Sequence, residues 1–169
     1  MKLNRLDLYL GIGVVDGIKM VDSWGNRKQY EDDTPEDHFI RNMNGWIGEE
    51  IFKATFSDWQ YMDEDDHIYL TESKPGRKGL PDFKNATGTL TCEVKTYYNL
   101  EYLEKKIDWW KRVPGELHNA DIVMVFVRDG SKSGKWYKVD INTWTYSLLD
   151  IKVKYPIWFR GFITKINWK

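Results

Sequence analysis

The chain has 169 residues, a formal net charge of −1, and contains 41% hydrophobic and 30% charged residues. This length suffices for one domain with a real core, so we predict a single domain over residues 1–169. No apolar run approaches the ~18 residues of a membrane helix, which argues against a membrane span. The single cysteine, Cys92, excludes an internal disulfide and predicts a reducing, cytoplasmic location.

Residues 1–34 are predicted to form an N-terminal accessory element, in which Leu6, Leu8 and Leu10 alternate as in a strand. A helix is predicted from Pro35 to about Phe56. Its start is well specified, because Thr34 can cap the helix and proline suits its first position.

Two glycines, Gly45 and Gly48, interrupt this helix just before Glu49 and Glu50. Each glycine weakens a helix by about 1 kcal/mol. We therefore expect the glycines to have a packing role, namely to let the helix approach a sheet closely.

Three strands are predicted next, at His67–Glu72, near Pro81 and at Thr89–Tyr97. In the third strand, Leu90, Cys92 and Val94 would face a core, and Glu93 and Lys95 would share the opposite face. A turn over residues 85–88 (Asn-Ala-Thr-Gly) would fold Asp82 back beside Glu93.

An amphipathic helix is predicted from Asn99 to about Arg112, followed by a buried central strand at Ala120–Arg128 and a further strand at Lys135–Ile141. The helix carries the apolar stripe Leu100, Leu103, Ile107 and Trp110. Trp109 and Trp110 cannot both face inward from one helix, so one is expected to be available to a partner subunit or a base.

The chemistry predicted for the segment from Pro81 to Lys95 follows from two carboxylates, Asp82 and Glu93, and one ammonium, Lys95. Close carboxylates repel each other and have raised pKa values unless a cation joins them. A hard divalent ion such as Mg²⁺ fits oxygen ligands best. The ion would polarise a phosphoryl oxygen, and the lysine would orient or deprotonate a water or neutralise charge.

At these residues the sequence resembles the PD-(D/E)xK nuclease superfamily. Pro81-Asp82 and Glu93-Val94-Lys95 match its signature, and Gly45 to Glu49 looks like the glycine-x-x-x-glutamate pattern of its Holliday-junction resolvase-type members. The resemblance implies an α/β restriction-endonuclease-like core over about residues 35–128. Such a core has a mixed central β-sheet flanked by α-helices, in the order αβββαβ.

The resemblance also implies a Mg²⁺-dependent deoxyribonuclease in which Mn²⁺ can substitute. Asp82, Glu93 and Glu49 would be metal ligands, and Lys95 would position the attacking water, with Glu50 as the alternative helix acid. DNA is the implied partner, RNA is less expected, and many such nucleases are homodimers. A junction resolvase, a restriction enzyme and a repair or phage-encoded nuclease all remain compatible.

The charge is distributed unevenly. From Glu31 to Glu72 there are 13 acidic residues against two basic ones. A loop before the motif carries Lys74, Arg77 and Lys78, which we predict to contact the phosphate backbone. The C-terminal basic aromatic extension, residues 129–169, contributes further predicted contacts and interleaved rings for base stacking: Lys152, Lys154 and Arg160, with Tyr155, Trp158, Phe159 and Trp168.

Other interpretations stay open at this point. Glu93 and Lys95 could form a solvated surface pair, and the C-terminal segment could be an edge strand with core aromatics. The whole chain could be an inactive nucleic-acid-binding module, or a protein-interaction domain using its acidic segment.

Overall fold

The structure is a computed structural model that describes residues 2–4, 20–21, 35–62, 67–70, 80–130 and 132–165. Side chains are described over residues 43–62, 80–130 and 132–164. The elements are β1 Lys2–Asn4, β2 Met20–Val21, α1 Pro35–Thr55, β3 Gln60–Tyr61, β4 His67–Leu70, β5 Phe83–Lys84, β6 Thr91–Tyr97, α2 Leu100–Arg112, a 3₁₀ turn Pro114–Leu117, β7 Ile122–Arg128, β8 Gly134–Asp140, β9 Thr145–Leu148 and α3 Phe159–Lys165.

The chain divides into two compact units, Met1–Trp46 with Asp63–Lys78, and Ile47–Met62 with Gly79–Lys169. In the first unit β1, β4 and β2 form a small antiparallel sheet in that spatial order. The prediction that the His67 strand belongs to the sheet of the acidic motif is therefore wrong. The alternating leucines at positions 6, 8 and 10 lie outside the described residues.

The second unit contains a six-stranded mixed sheet in the order β3-β5-β6-β7-β8-β9. The β6–β7 pair is parallel and the other pairs are antiparallel. A parallel pair requires a long crossover connection, and α2 supplies it. The predicted α/β class, with a mixed sheet flanked by helices, is confirmed.

Helix α2 covers one face of this sheet. The side chain of Asn99 caps the helix by accepting a hydrogen bond from the Tyr102 N–H at 2.8 Å. Three residues of the predicted stripe, Leu103, Ile107 and Trp110, are buried against the valines of β7, whereas Leu100 is exposed. The stripe prediction is correct except at its first position, because Leu100 begins the helix.

The other face of the sheet packs against the end of α1 through aromatic rings. Phe52 contacts Phe83 and Trp136, with ring centroids 4.6 and 5.6 Å apart. Gly48 lies against β6, where an added Cβ would overlap the Thr96 hydroxyl. The expected close approach is confirmed at Gly48, but at Gly45 an added Cβ would meet no described atom within 4 Å.

After the edge strand β9, the described part of the C-terminal segment, residues 149–165, contains the helix α3 and no further strand. In α3 the side chains of Phe159, Phe162 and Ile163 are buried. The Tyr155 hydroxyl accepts a hydrogen bond from the Gly134 N–H at 3.2 Å, which ties the segment to β8. Within the described part of the chain, no helix is long and apolar enough to cross a membrane.

Candidate functional site

The site is built on the β5–β6 hairpin. The strands share two residue pairs, Phe83↔Cys92 and Lys84↔Thr91. The predicted turn between them is confirmed: Gly88 has φ +71°, a conformation that glycine adopts without strain, and its N–H donates to the Asn85 carbonyl at 3.0 Å. Leu90 is exposed, so its predicted core position is wrong, because the strand begins only at Thr91.

Asp82 lies where the two strands part. Its Oδ2 accepts a hydrogen bond from the Val94 N–H of β6 at 2.8 Å, so the carboxylate acts as the acceptor that a carbonyl of a neighbouring strand would otherwise provide. The Asp82 carbonyl accepts from the Met62 N–H at 2.9 Å. With only 8% of the residue exposed, Asp82 is held in a fixed position beside β6.

Glu93 and Lys95 form an ion pair on β6, with 2.9 Å between the Lys95 Nζ and the Glu93 Oε1. They lie on the face covered by α2, and Glu93 is 3% exposed. The alternative of a solvated surface pair is therefore wrong. The strand is buried on both faces around Glu93, since Cys92 and Val94 are buried as predicted.

The charges of this pair stabilise each other. Burial opposes the charged form of Glu93, but Lys95 and His118 outweigh it and lower the pKa of the carboxyl below its usual value. Burial likewise opposes the charged form of Lys95, but the carboxylates of Glu93, Asp82 and Glu116 outweigh it and raise the pKa of the amine. Lys95 is therefore a cation at neutral pH.

His118 completes the surroundings of Glu93 and was not predicted as a site residue. Its Nδ1 lies 3.2 Å from the Glu93 Oε2. His118 and Asn119 both have left-handed backbone conformations, with φ of 54° and 56°, directly after the 3₁₀ turn. A left-handed residue commonly ends a helix, and here it turns the chain from the 3₁₀ turn toward β7.

The predicted order of strands and helices could have pointed to His118 as a site residue. In a strand–helix–strand unit, the connection into the second strand returns to the beginning of the first strand. Asp121 shows this return, because its carboxylate accepts a hydrogen bond from the Thr91 N–H at 2.8 Å. A polar residue just before β7 was therefore a candidate neighbour of Glu93.

Glu116 extends the cluster toward α2. Its carboxylate accepts a hydrogen bond from the indole N–H of Trp109 at 2.8 Å and lies 3.4 Å from the Lys106 Nζ. Burial opposes its charged form, but Trp109, Lys106 and Lys95 lower the pKa of the carboxyl. Negative and positive side chains thus alternate through the cluster, from Asp82 through Lys95 and Glu116 to Lys106.

Cys92 follows the prediction of a buried small hydrophobe. Burial, then the nearby carboxylates of Asp82 and Glu93, raise the pKa of the thiol far above its usual value. The neutral thiol is a poor nucleophile.

The structure does not bring the helix acids into this cluster. Glu50 accepts a hydrogen bond from the Tyr61 hydroxyl at 3.2 Å. Thr96 faces Gly48 of α1, and alternation along β6 directs Glu93 and Lys95 to the opposite face. Among the described residues, no group of three His, Cys, Asp or Glu side chains could hold a metal ion, so Glu49 does not complete a three-carboxylate set.

The donor chemistry nevertheless suits Mg²⁺. This ion keeps several waters and is bound through one or two carboxylates together with substrate phosphates. Asp82 and Glu93 are two buried carboxylates at one end of a hairpin, and the role of Glu49 as a further ligand stays a prediction.

The predicted phosphate contacts divide into two groups. Lys152, Lys154 and Arg160 are exposed. The Thr55 hydroxyl donates to the Lys154 carbonyl and accepts from the Lys154 N–H, both at 3.1 Å, which fixes the segment beside the end of α1. The second group, and one of the predicted stacking rings, lies outside the described residues: Lys74, Arg77, Lys78 and Trp168.

The predicted stacking role is wrong for Phe159, which is buried and stacks on Tyr155 with centroids 4.7 Å apart. Trp158 is half-buried and contacts Phe162, and its stacking role stays a prediction. Tyr155 also contacts Phe126 of β7, with centroids 6.5 Å apart, which ties this cluster of rings to the sheet.

Comparison of the chain with protein-family models, curated proteins and solved structures finds no match.

Proposed function

We propose that this protein is a metal-dependent DNA nuclease with a restriction-endonuclease-like core. The observation that carries the proposal is the convergence of Asp82, Glu93 and Lys95 where β5 and β6 part. The Asp82 carboxylate is fixed on the Val94 N–H, and Lys95 is fixed on Glu93.

The order of elements supports the same proposal. The six-stranded sheet and its helices run α1, β3, β5, β6, α2 and β7 along the chain. This is the αβββαβ order implied by the sequence resemblance, with Gln60–Tyr61 in place of the predicted His67 strand. The parallel β6–β7 pair with an intervening helix fits that core.

In the proposed reaction, Mg²⁺ supplies charge stabilisation and an acidified water for attack on the scissile phosphate. Asp82 and Glu93 would hold the ion. Because Lys95 is already protonated at neutral pH, its proposed role is to orient the water and neutralise the phosphate, and not to remove a proton.

The test is an incubation of the full chain with supercoiled plasmid, linear duplex, single-stranded and four-way-junction DNA. Each substrate is tested with Mg²⁺, Mn²⁺ or EDTA, beside the nearly isosteric Glu93→Gln variant. We expect metal-dependent cutting that is lost in the variant. Cutting that persists in EDTA, or in well-folded Glu93→Gln, would contradict the proposal.

The role proposed for the helix acids is tested separately with Glu49→Gln and Glu50→Gln. If Glu49 holds the metal through a water, its variant needs more Mg²⁺ for half-maximal cutting, while Glu50→Gln does not. Equal behaviour of the two variants would remove Glu49 from the proposed site.

A second candidate function is a nucleic-acid-binding module without turnover. It is favoured by one observation, namely that Lys95 and His118 occupy both oxygens of Glu93. Such a module would bind DNA with a steep salt dependence but cut nothing with either metal.

A further inference from the structure

Trp109 is an exposed aromatic residue whose orientation is fixed. It lies in the last turn of α2 and is 39% exposed, whereas its neighbour Trp110 is buried. The hydrogen bond from its indole N–H to Glu116 sets the direction of the ring. A large apolar surface that is both rigid and exposed is well suited to contact a ligand.

Trp109 is linked to the proposed catalytic cluster through Glu116, whose charge also acts on Lys95. Glu116, which holds the indole, precedes His118 by two residues, and His118 contacts Glu93. A nucleic-acid strand whose phosphate reached Glu93 and Lys95 would therefore place a neighbouring nucleotide near Trp109.

The surroundings of the ring suit a nucleotide. The Arg112 guanidinium lies over the indole, 5.3 Å from its centroid, and the Lys106 ammonium pairs with Glu116. Aromatic rings and guanidinium planes are the surfaces on which unpaired bases stack, and nearby cations attract the backbone. The carboxylate beside the ring is largely neutralised by its partners.

We propose that Trp109, with Arg112 over it, is a stacking subsite for an unpaired base next to the scissile phosphate. This inference rests on the proposed function and narrows its substrate to DNA with single-stranded or unpaired nucleotides. A base inside a continuous duplex is stacked on its neighbours and cannot occupy the subsite.

Tyr102 provides a matched control. It lies on the same helix two turns earlier, is 41% exposed, and contacts Tyr97 at the far end of β6. Tyr102→Ala therefore removes an equally exposed ring at the end of α2 away from Glu93.

The experiment measures binding of a fluorescent single-stranded oligonucleotide and of the matching duplex to the full chain in EDTA, and cutting of both in Mg²⁺. Trp109→Ala should bind the single strand roughly tenfold more weakly, with little change for the duplex, and Trp109→Phe should retain most of the affinity. Tyr102→Ala should change neither the affinity for the single strand nor the affinity for the duplex. Equal losses on both substrates, or no loss, would overturn the proposal.

A substrate-side test does not depend on the folding of a variant. In a series of oligonucleotides, each base in turn is replaced by an abasic site. One position should lower wild-type affinity roughly tenfold, have a similar effect in Trp109→Phe, and have no such effect in Trp109→Ala. A flat series would overturn the subsite. Absence of cutting by the wild type on any DNA would instead refute the nuclease, so the two failures are distinguishable.

Discussion

At the scale of single residues, the candidate site is held together by charge. Glu93 lies between two cationic or hydrogen-bonding partners, Lys95 and His118. Removal of one partner from a buried pair costs more than the pair contributes, because the remaining charge stays buried. Substitutions that preserve shape are therefore more informative here than substitutions by alanine.

Asp82 has two separable roles. Asp82→Asn keeps an oxygen that can accept the Val94 N–H but removes the charge, so cutting should be lost while the fold remains stable. Asp82→Ala also leaves a buried N–H without its acceptor, which costs about 1–3 kcal/mol. Urea unfolding should give a clearly lower free energy of unfolding for Asp82→Ala than for Asp82→Asn. Equal free energies would show that the hydrogen bond contributes nothing.

The lowered pKa of Glu93 predicts a pH dependence of stability. The stabilisation is fully present above the ordinary glutamate pKa of about 4.3 and is lost as the pH falls through the lower folded-state value. Between pH 7 and pH 3 the wild type should therefore lose more unfolding free energy than Glu93→Gln. Urea titrations at several pH values measure this, and parallel curves would contradict it.

At the scale of elements, the sequence predicts the centre of the second unit correctly, but not β3, β9 or α3. The two long helices, the hairpin turn and the buried strand β7 follow from capping residues, turn chemistry and apolar periodicity. It could not reveal that His67–Leu70 pairs with β1 and β2, because strand periodicity indicates a strand but not its partner. The sequence also could not show that His118 contacts Glu93, because this contact depends on the length of α2 and of the turn after it.

The close contact of α1 with β6 leads to a prediction about the stability of a variant at Gly48. An added Cβ at Gly48 would lie 3.1 Å from the Thr96 Cβ, and a rotation of the threonine cannot relieve that contact. Gly48→Ala should therefore lower the unfolding free energy by about 1–3 kcal/mol through overpacking.

Gly45→Ala is the control for this substitution. An added Cβ at Gly45 meets no described atom, so higher helix propensity should raise the stability by up to about 1 kcal/mol. Chemical denaturation of both variants tests the pair. Equal effects of the two substitutions would show that Gly48 has no special contact with the sheet.

At the scale of the whole molecule, the net charge of −1 does not favour association with DNA. The proposed binding would therefore depend on local groups of cations, and the described residues include the exposed Lys152, Lys154 and Arg160. Neutralised phosphates release counterions, so the logarithm of affinity should fall with the logarithm of salt concentration.

Replacement of these three residues by alanine should reduce the salt slope of DNA binding by up to about 0.9 for each lost phosphate contact. The control removes three other exposed lysines, Lys105, Lys132 and Lys135, and should leave the slope nearly unchanged. Fluorescence anisotropy at several salt concentrations measures both. Equal slopes for the two triple variants would exclude the C-terminal cations as the phosphate contact.

The parallel pairing of β6 with β7 also imposes an order of events during folding. The β5–β6 hairpin is local in sequence, so Asp82, Glu93 and Lys95 can meet before α2 has docked. His118 can reach Glu93 only after α2 has folded and the chain has returned to the sheet, which is a slower, non-local step. We therefore expect the site to form in two stages, with the contact of His118 and Glu93 reporting completion of the sheet in refolding experiments.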